Sequence, residues 1–132
     1  MEHIGIAVAD LEEAEKIFSK LFNQRNYKVE TVENEGVRTS FFQLGPIKIE
    51  LLEATNEQST IHKYIEKRGA GIHHIAFDVD DIESEMKRLR NEGFELLNDT
   101  PTQGADNKMV CFIHPKSCNG VLVELCQERA EG

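Results

Sequence analysis

The sequence predicts an α+β fold in which two β-α-β-β-β modules form one cupped, mixed, eight-stranded sheet. The first reason is that the chain repeats itself, because the segment led by His3 recurs in the second half as the segment led by His74. The second is that the strand-like segment around Glu50 recurs, at nearly the same offset, around Glu124. The third is size, since each half of a 132-residue chain would be marginally stable alone. We therefore expect one domain over 1–132, with modules of about 1–68 and 69–132.

The first module contains signals for one long helix between extended segments. Asp10 is a typical N-cap residue, and apolar residues follow it at helical spacing to about Phe22. Asn34-Glu35-Gly36 and Gly45-Pro46 are turn signals between segments of strand character. The predicted elements are strand 1–8, helix 10–22, strands 27–33, 37–44 and 47–54, and a short helix 61–68.

The second module repeats this order. Asp80 and Asp81 begin its helix, and Gly93 is placed to end it. The segment 99–108, with Pro101 and Gly104, is predicted to be a polar loop. The predicted elements are strand 72–79, helix 80–91, a short strand 94–97, and strands 109–113 and 121–127.

Charge and composition exclude several classes of partner. The net charge is −9, from 15 basic and 24 acidic residues, which argues against nucleic acid or an anionic membrane as the main partner. No apolar run is long enough for a bilayer span, and we expect no secretory leader, because a strand-like run follows Met1 almost at once. Three cysteines without a Cys-x-x-Cys pair indicate neither a disulfide framework nor a zinc knuckle. A reduced, cytoplasmic location is expected.

The repeated histidines and glutamates share one feature of strand geometry. Side chains alternate between the two faces of a strand, and the amphipathic helices should cover the more apolar face. In all four strands the polar residue lies opposite the more apolar stripe, and these residues are His3, Glu50, His74 and Glu124. The four should therefore line one concave face, and two imidazoles with two carboxylates suit a divalent metal ion.

The other histidines carry weaker signals. A single histidine on a strand is more often structural than a metal ligand, and it is the repeat that sets His3 and His74 apart. His73 points to the face opposite His74. His62 is expected on a helix surface and His114 in a solvated turn.

Three segments carry a resemblance to the vicinal oxygen chelate superfamily, which has the glyoxalase-like fold, and within it to the methylmalonyl-CoA epimerase family. They are HIGIAV (3–8), GIHHIAFDVDDI (71–82) and HPKSCNGVLVEL (114–125). The resemblance covers nearly the whole chain, and its His-Pro-Lys-Ser tail is the more specific part.

The resemblance implies a metal-dependent epimerase that inverts C2 of methylmalonyl-CoA through an enolate, and a homodimer. It implies that His3, Glu50, His74 and Glu124 bind the metal, with Co²⁺ the first choice and Mn²⁺, Zn²⁺ or Ni²⁺ as alternatives. An acyl-CoA substrate also needs local cations for its phosphates in this acidic chain. Lys116 is the first candidate, with Lys108 and Lys63 beside it.

Two positions depart from the pattern of some relatives. Glutamine stands at the Glu50 position in some members. Others carry a glutamate base three residues after the glycine that matches Gly36, whereas this chain has Thr39, which cannot act as a base near pH 7. The carboxylates left as the two catalytic bases are Glu50 and Glu124.

Three alternative functions remain open on the same fold. An iron-dependent extradiol dioxygenase needs two histidines and one carboxylate, but Glu50 would occupy a position that such an enzyme keeps open. A glyoxalase I-like lyase is chemically closer, and the His-Pro-Lys tail argues against it. A non-enzymatic small-molecule binding protein would be expected to lose ligands, whereas all four are present.

Overall fold

The computed structural model describes residues 1–129, which form eight strands, three α-helices and two short 3₁₀ turns. The strands are β1 His3–Ala7, β2 Lys28–Val32, β3 Val37–Leu44, β4 Ile47–Ala54, β5 Gly71–Asp78, β6 Thr102–Gln103, β7 Lys108–Ile113 and β8 Val123–Glu128. The helices are α1 Leu11–Phe22, α2 Thr60–Arg68 and α3 Ile82–Asn91. The 3₁₀ turns are Glu33–Glu35 and Pro115–Cys118.

The chain divides into two compact units that follow the sequence repeat. The first, here the N-terminal unit, is His3–His73. The second, here the C-terminal unit, joins Met1–Glu2 to the chain from His74 onwards. Glu2 belongs with the second because its N–H donates to the Ala76 carbonyl at 2.8 Å.

The sheet of the N-terminal unit has the strand order β2-β3-β4-β1. β1 runs parallel to β4, and the other pairs are antiparallel. β3 and β4 begin and end where the sequence predicts, since Gly45 in the turn between them adopts φ 58°, a conformation that glycine takes without steric cost. This register places Gly5 of β1 beside Glu50 of β4.

Helix α1 covers one face of this sheet. As predicted, Asp10 is its N-cap, and the Asp10 carboxylate accepts from Glu13 N–H at 3.2 Å. The apolar core between helix and sheet contains residues from α1 and from the strands and their ends: Val8, Leu11, Ala14, Phe42, Ile49 and Leu51. The partly buried Ile4 and Ile6 pack against it, so the more apolar stripe of β1 faces the helix.

The C-terminal unit has the strand order β5-β8-β7-β6, again with one parallel pair, β5 with β8. Asp81 caps α3 by accepting from Ser84 N–H at 3.1 Å, and this hydrogen bond holds the pKa of the Asp81 carboxyl below its usual value. Gly93 follows α3 with φ 94°, as a helix-ending glycine does. The core under α3 consists of Ile82, Met86, Leu89, Cys111, Ile113 and Leu125.

Two local predictions in the second module are wrong. The strand expected at 94–97 is only an isolated bridge between Leu96 and Ile113. The reason is that Phe112 N–H donates to the side chain of Asn98 at 2.9 Å, so no strand backbone can take that bond. The loop expected at 99–108 contains the two-residue strand β6, in which Thr102 pairs with Val110 of β7.

No helix within residues 1–129 is both long enough and apolar enough to cross a membrane. In each unit the long helix, α1 or α3, packs on the apolar stripe of the strands, so the residues that alternate with this stripe point to the other face. That second face, here the ligand face, carries His3 and Glu50 in one unit, and His74 and Glu124 in the other.

Candidate active site

The N-terminal unit brings His3 and Glu50 together on its ligand face. Their atoms His3 Nδ1 and Glu50 Oε2 lie 3.1 Å apart, and the two side chains are only 5% and 6% exposed. They reach each other because β1 and β4 are parallel neighbours, and the small Gly5 lies directly beside Glu50 in that register. A buried carboxylate is costly unless it is paired, so the imidazole partner is what makes Glu50 tolerable at this depth.

The C-terminal unit repeats the arrangement with His74 and Glu124. His74 Nε2 and Glu124 Oε1 lie 3.0 Å apart, and the side chains are 5% and 7% exposed. β5 and β8 are parallel neighbours with Ala76 beside Glu124, as Gly5 is beside Glu50. Phe112 contacts the ring of His74 edge-on, with centroids 5.7 Å apart, and so restricts its rotation.

Both pairs have the chemistry and spacing of metal ligands. Imidazole nitrogen and carboxylate oxygen bind divalent ions at about 2.1 Å, so two neighbouring ligands of a six-coordinate ion lie about 3.0 Å apart. The observed separations of 3.1 and 3.0 Å agree with this value. Each pair therefore fits two adjacent positions on a divalent ion.

The remaining predicted contact residues lie elsewhere. Lys116 is on the exposed 3₁₀ turn, and its ammonium is 2.9 Å from Glu95 Oε1. This contact holds the pKa of the Glu95 carboxyl below its usual value. Lys108 is only 11% exposed and lies between two carboxylates, 4.0 Å from Glu2 and 3.9 Å from Asp78, so it is poorly placed for a coenzyme phosphate. Lys63 is exposed on α2.

The cysteines do not supply reactive thiolates. Cys111 and Cys126 are buried, Cys118 is partly exposed, and all three are free. Burial raises the pKa of the Cys126 thiol far above neutrality, and the nearby Glu124, Glu2 and Asp78 raise it further. Cys126 therefore remains protonated beside Glu124 and contributes bulk to the ligand face, where it packs with Ala76 and Val110.

Thr39 is a residue whose position the sequence could not reveal. It lies on the ligand face of the N-terminal unit, since its cross-strand partner is Leu52, two positions after Glu50 on the same face of β4. It is 1% exposed. The sequence predicts only that Thr39 cannot be a base. Its burial is not predictable, because a threonine on a polar strand face leaves no periodic pattern.

The chain matches the profile of the glyoxalase/bleomycin resistance protein/dioxygenase superfamily over residues 2–112. It belongs to this superfamily. The match includes His3, Glu50 and His74. The predicted α+β fold of paired modules is confirmed.

Its relatives within the superfamily include methylmalonyl-CoA epimerases. An ethylmalonyl-CoA/methylmalonyl-CoA epimerase of Cereibacter sphaeroides is 40% identical, over 96% of this chain and 96% of the relative. A mitochondrial methylmalonyl-CoA epimerase of Dictyostelium discoideum is 39% identical, over 95% of this chain and 76% of the relative. A Streptomyces coelicolor methylmalonyl-CoA epimerase variant, solved with 2-nitronate-propionyl-CoA, superposes with a TM-score of 0.94 at 34% identity, over 98% and 94% of the two chains.

Proposed function

We propose that this protein is a metal-dependent epimerase that inverts C2 of methylmalonyl-CoA. The observation that carries the proposal is the pair of buried histidine–glutamate contacts at 3.1 and 3.0 Å, one in each module. Membership of the superfamily and the epimerases among its relatives supply the reaction class and the substrate.

The proposed metal ligands are His3, Glu50, His74 and Glu124. Each unit contributes one imidazole and one carboxylate. Co²⁺ is the proposed ion, and Mn²⁺, Zn²⁺ or Ni²⁺ suit the same donor atoms. When bound, such an ion stabilises negative charge that develops on the substrate oxygens.

The proposed proton chemistry uses the two glutamates. The C2 proton of the substrate lies between a thioester and a carboxylate, so its removal gives a delocalised enolate. One glutamate accepts this proton on one side of C2, and the protonated form of the other glutamate donates a proton on the opposite side. One proton is lost and one is gained, so the configuration inverts without a change of oxidation state. Repeat-related carboxylates suit this reaction because it must run in both directions.

The remaining features of the proposal concern the whole protein. Lys116, whose side chain is 66% exposed, is proposed to contact the coenzyme A phosphates. A homodimer is proposed on the strength of the family resemblance. A reduced, cytoplasmic setting is proposed because the three thiols are free.

Proton exchange tests the function directly. The purified protein, stripped of metal and then reloaded with Co²⁺, is incubated with methylmalonyl-CoA in deuterated water. We expect deuterium at C2 and equilibration of the two epimers, both dependent on added metal. Metal-loaded protein that leaves C2 protonated would refute the proposal, and turnover of a glutathione hemithioacetal or a catechol instead would indicate a lyase or a dioxygenase.

A further inference from the structure

We infer that Glu95 weakens the binding of coenzyme A phosphates to this protein, because its carboxylate occupies and neutralises the Lys116 ammonium. The inference rests on the contact of Lys116 with these phosphates that is proposed above, and it concerns a residue that is neither a metal ligand nor a base. Both residues lie in the C-terminal unit, with Glu95 in the segment that follows α3 and Lys116 in the 3₁₀ turn Pro115–Cys118.

The backbone of Glu95 is fixed to this turn through both of its hydrogen-bonding groups. Glu95 N–H donates to Ser117 Oγ at 2.9 Å, and the Glu95 carbonyl accepts from His114 N–H at 2.8 Å. The next residue continues the contact, since Leu96 forms a bridge with Ile113 at the end of β7. The Glu95 side chain therefore starts from a defined position beside the turn, which a ligand can change only by breaking these bonds.

The carboxylate of Glu95 is directed at two side chains of the turn. Its Oε1 lies 2.9 Å from Lys116 Nζ, and its Oε2 lies 3.8 Å from His114 Nε2. The Lys116 contact is a charge-assisted hydrogen bond, and it holds the pKa of the Glu95 carboxyl below its usual value, so this group is charged at neutral pH. Lys116 N–H donates to His114 Nδ1 at 3.1 Å, so neutral His114 carries its proton on Nε2, the nitrogen that faces Glu95.

This arrangement determines the charge that an incoming phosphate meets at Lys116. The ammonium and the carboxylate cancel, and neutral His114 adds no charge, so the three side chains together offer no net positive charge. A phosphate that bonds to Lys116 must also lie close to the Glu95 carboxylate. The two side chains are 66% and 48% exposed, so water screens this repulsion. Two like unit charges about 4 Å apart in water still repel enough to change an affinity about fivefold.

Two ligands that differ by their phosphates test the inference. Calorimetry with the metal-loaded full chain compares propionyl-CoA with propionyl-pantetheine, which has the same acyl thioester but no phosphate. The proteins are wild type, Glu95→Gln, Lys116→Met, the variant with both changes and the control Glu92→Gln. Glutamine keeps an acceptor oxygen for Lys116 and removes the charge. The control removes the same charge from an exposed position at the end of α3.

We expect Glu95→Gln to bind propionyl-CoA about fivefold more tightly than wild type and to bind propionyl-pantetheine unchanged. The gain should be lost when Lys116→Met is also present, because no ammonium then holds the phosphate at the turn. It should be absent in Glu92→Gln, and it should become smaller at high salt, which screens exposed charges.

Weaker or unchanged binding of propionyl-CoA by Glu95→Gln would overturn the inference, as would an equal gain for propionyl-pantetheine, in Glu92→Gln or without Lys116. Thermal unfolding of each variant checks that the compared proteins are folded. Binding is measured separately from turnover, so a protein that shows the expected pattern but leaves C2 protonated would refute the proposed function alone. An active epimerase without this pattern would refute the inference alone.

Discussion

At the level of single residues, the two modules repeat their side chains but not the atoms that these side chains use. His3 approaches its glutamate through Nδ1, whereas His74 approaches through Nε2. The difference follows from side-chain rotation within each unit, which no sequence pattern encodes. The pairing itself is common to both units, and it makes each histidine a separate target for mutation.

Removal of either histidine should reduce metal binding. We expect His3→Ala and His74→Ala each to lower Co²⁺ affinity at least roughly tenfold, because the ligand is on a strand and no neighbouring side chain can replace it easily. Metal analysis after dialysis, with activity measured in parallel, checks this. His62→Ala is the control, since His62 lies on α2 and contacts Glu66 at 3.4 Å. Full metal content in both variants would exclude this site.

The Glu50→Gln substitution separates a ligand from a base. Glutamine can still bind a metal ion, so metal content should be preserved, whereas epimerisation should fall by roughly 10²–10⁴, as for a lost acid–base group. Exchange of the C2 proton should fall less than inversion, since Glu124 can still remove and return a proton on its own side. NMR of the substrate in deuterated water measures both rates. Unchanged epimerisation in the metal-loaded variant would leave Glu50 as a ligand only.

At the level of elements, the repeat extends to the way each long helix begins. Glu53 Oε2 accepts from Leu11 N–H of α1 at 2.9 Å, and Gln127 Oε1 accepts from Ile82 N–H of α3 at 2.7 Å. Each acceptor follows the glutamate of its own strand, β4 or β8, at the same spacing. In each unit, the strand that carries the proposed catalytic carboxylate thus also satisfies the first free N–H of the helix, which fixes the helix relative to that strand.

Loss of the Gln127 contact should destabilise the protein modestly. We expect Gln127→Ala to lower the free energy of unfolding by about 1 kcal/mol, because a helix N–H loses its partner. Urea unfolding followed by circular dichroism measures the change. Gln58→Ala, at an exposed loop position, should have no comparable effect. Equal stability of the two variants would show that water replaces the Gln127 oxygen without cost.

At the level of the whole molecule, β2 and β6 each pair with only one other strand among residues 1–129, so each leaves one edge open there. Exposed strand edges tend to be covered, and β6 is only two residues long, which limits pairing on that side. β2 has five residues and an exposed Val29, so it offers the longer edge.

We expect the protein to be a dimer in solution. Its chain mass is 15.0 kDa, so light scattering coupled to size exclusion should give twice that value at micromolar protein. Charged pairs on β2, such as Lys28 with Glu30, should make any contact through this edge weaker at high salt. A single species with the mass of one chain across this concentration range would contradict the prediction.

Sequence alone predicted most elements because their signals are local. β3, β4 and the end of α1 at Phe22 follow from alternation, a glycine turn and helical spacing, all of which act over a few residues. The errors at 94–97 and 99–108 have a different origin. There the side chain of Asn98 competes for a backbone bond of β7, and the short β6 forms only because β7 is beside it.

The sequence by itself determined the duplicated modules and the identity of the ligand-type residues, since repeat spacing and strand alternation are written directly in residue order. Only the tertiary structure decided which histidine meets which glutamate, through which nitrogen, and which polar residues are buried. Those features depend on strand order and register, which join residues such as His3 and Glu50 from distant parts of the chain. The same physical reason explains the burial of Thr39, whose neighbours on β2 and β4 its own segment does not specify.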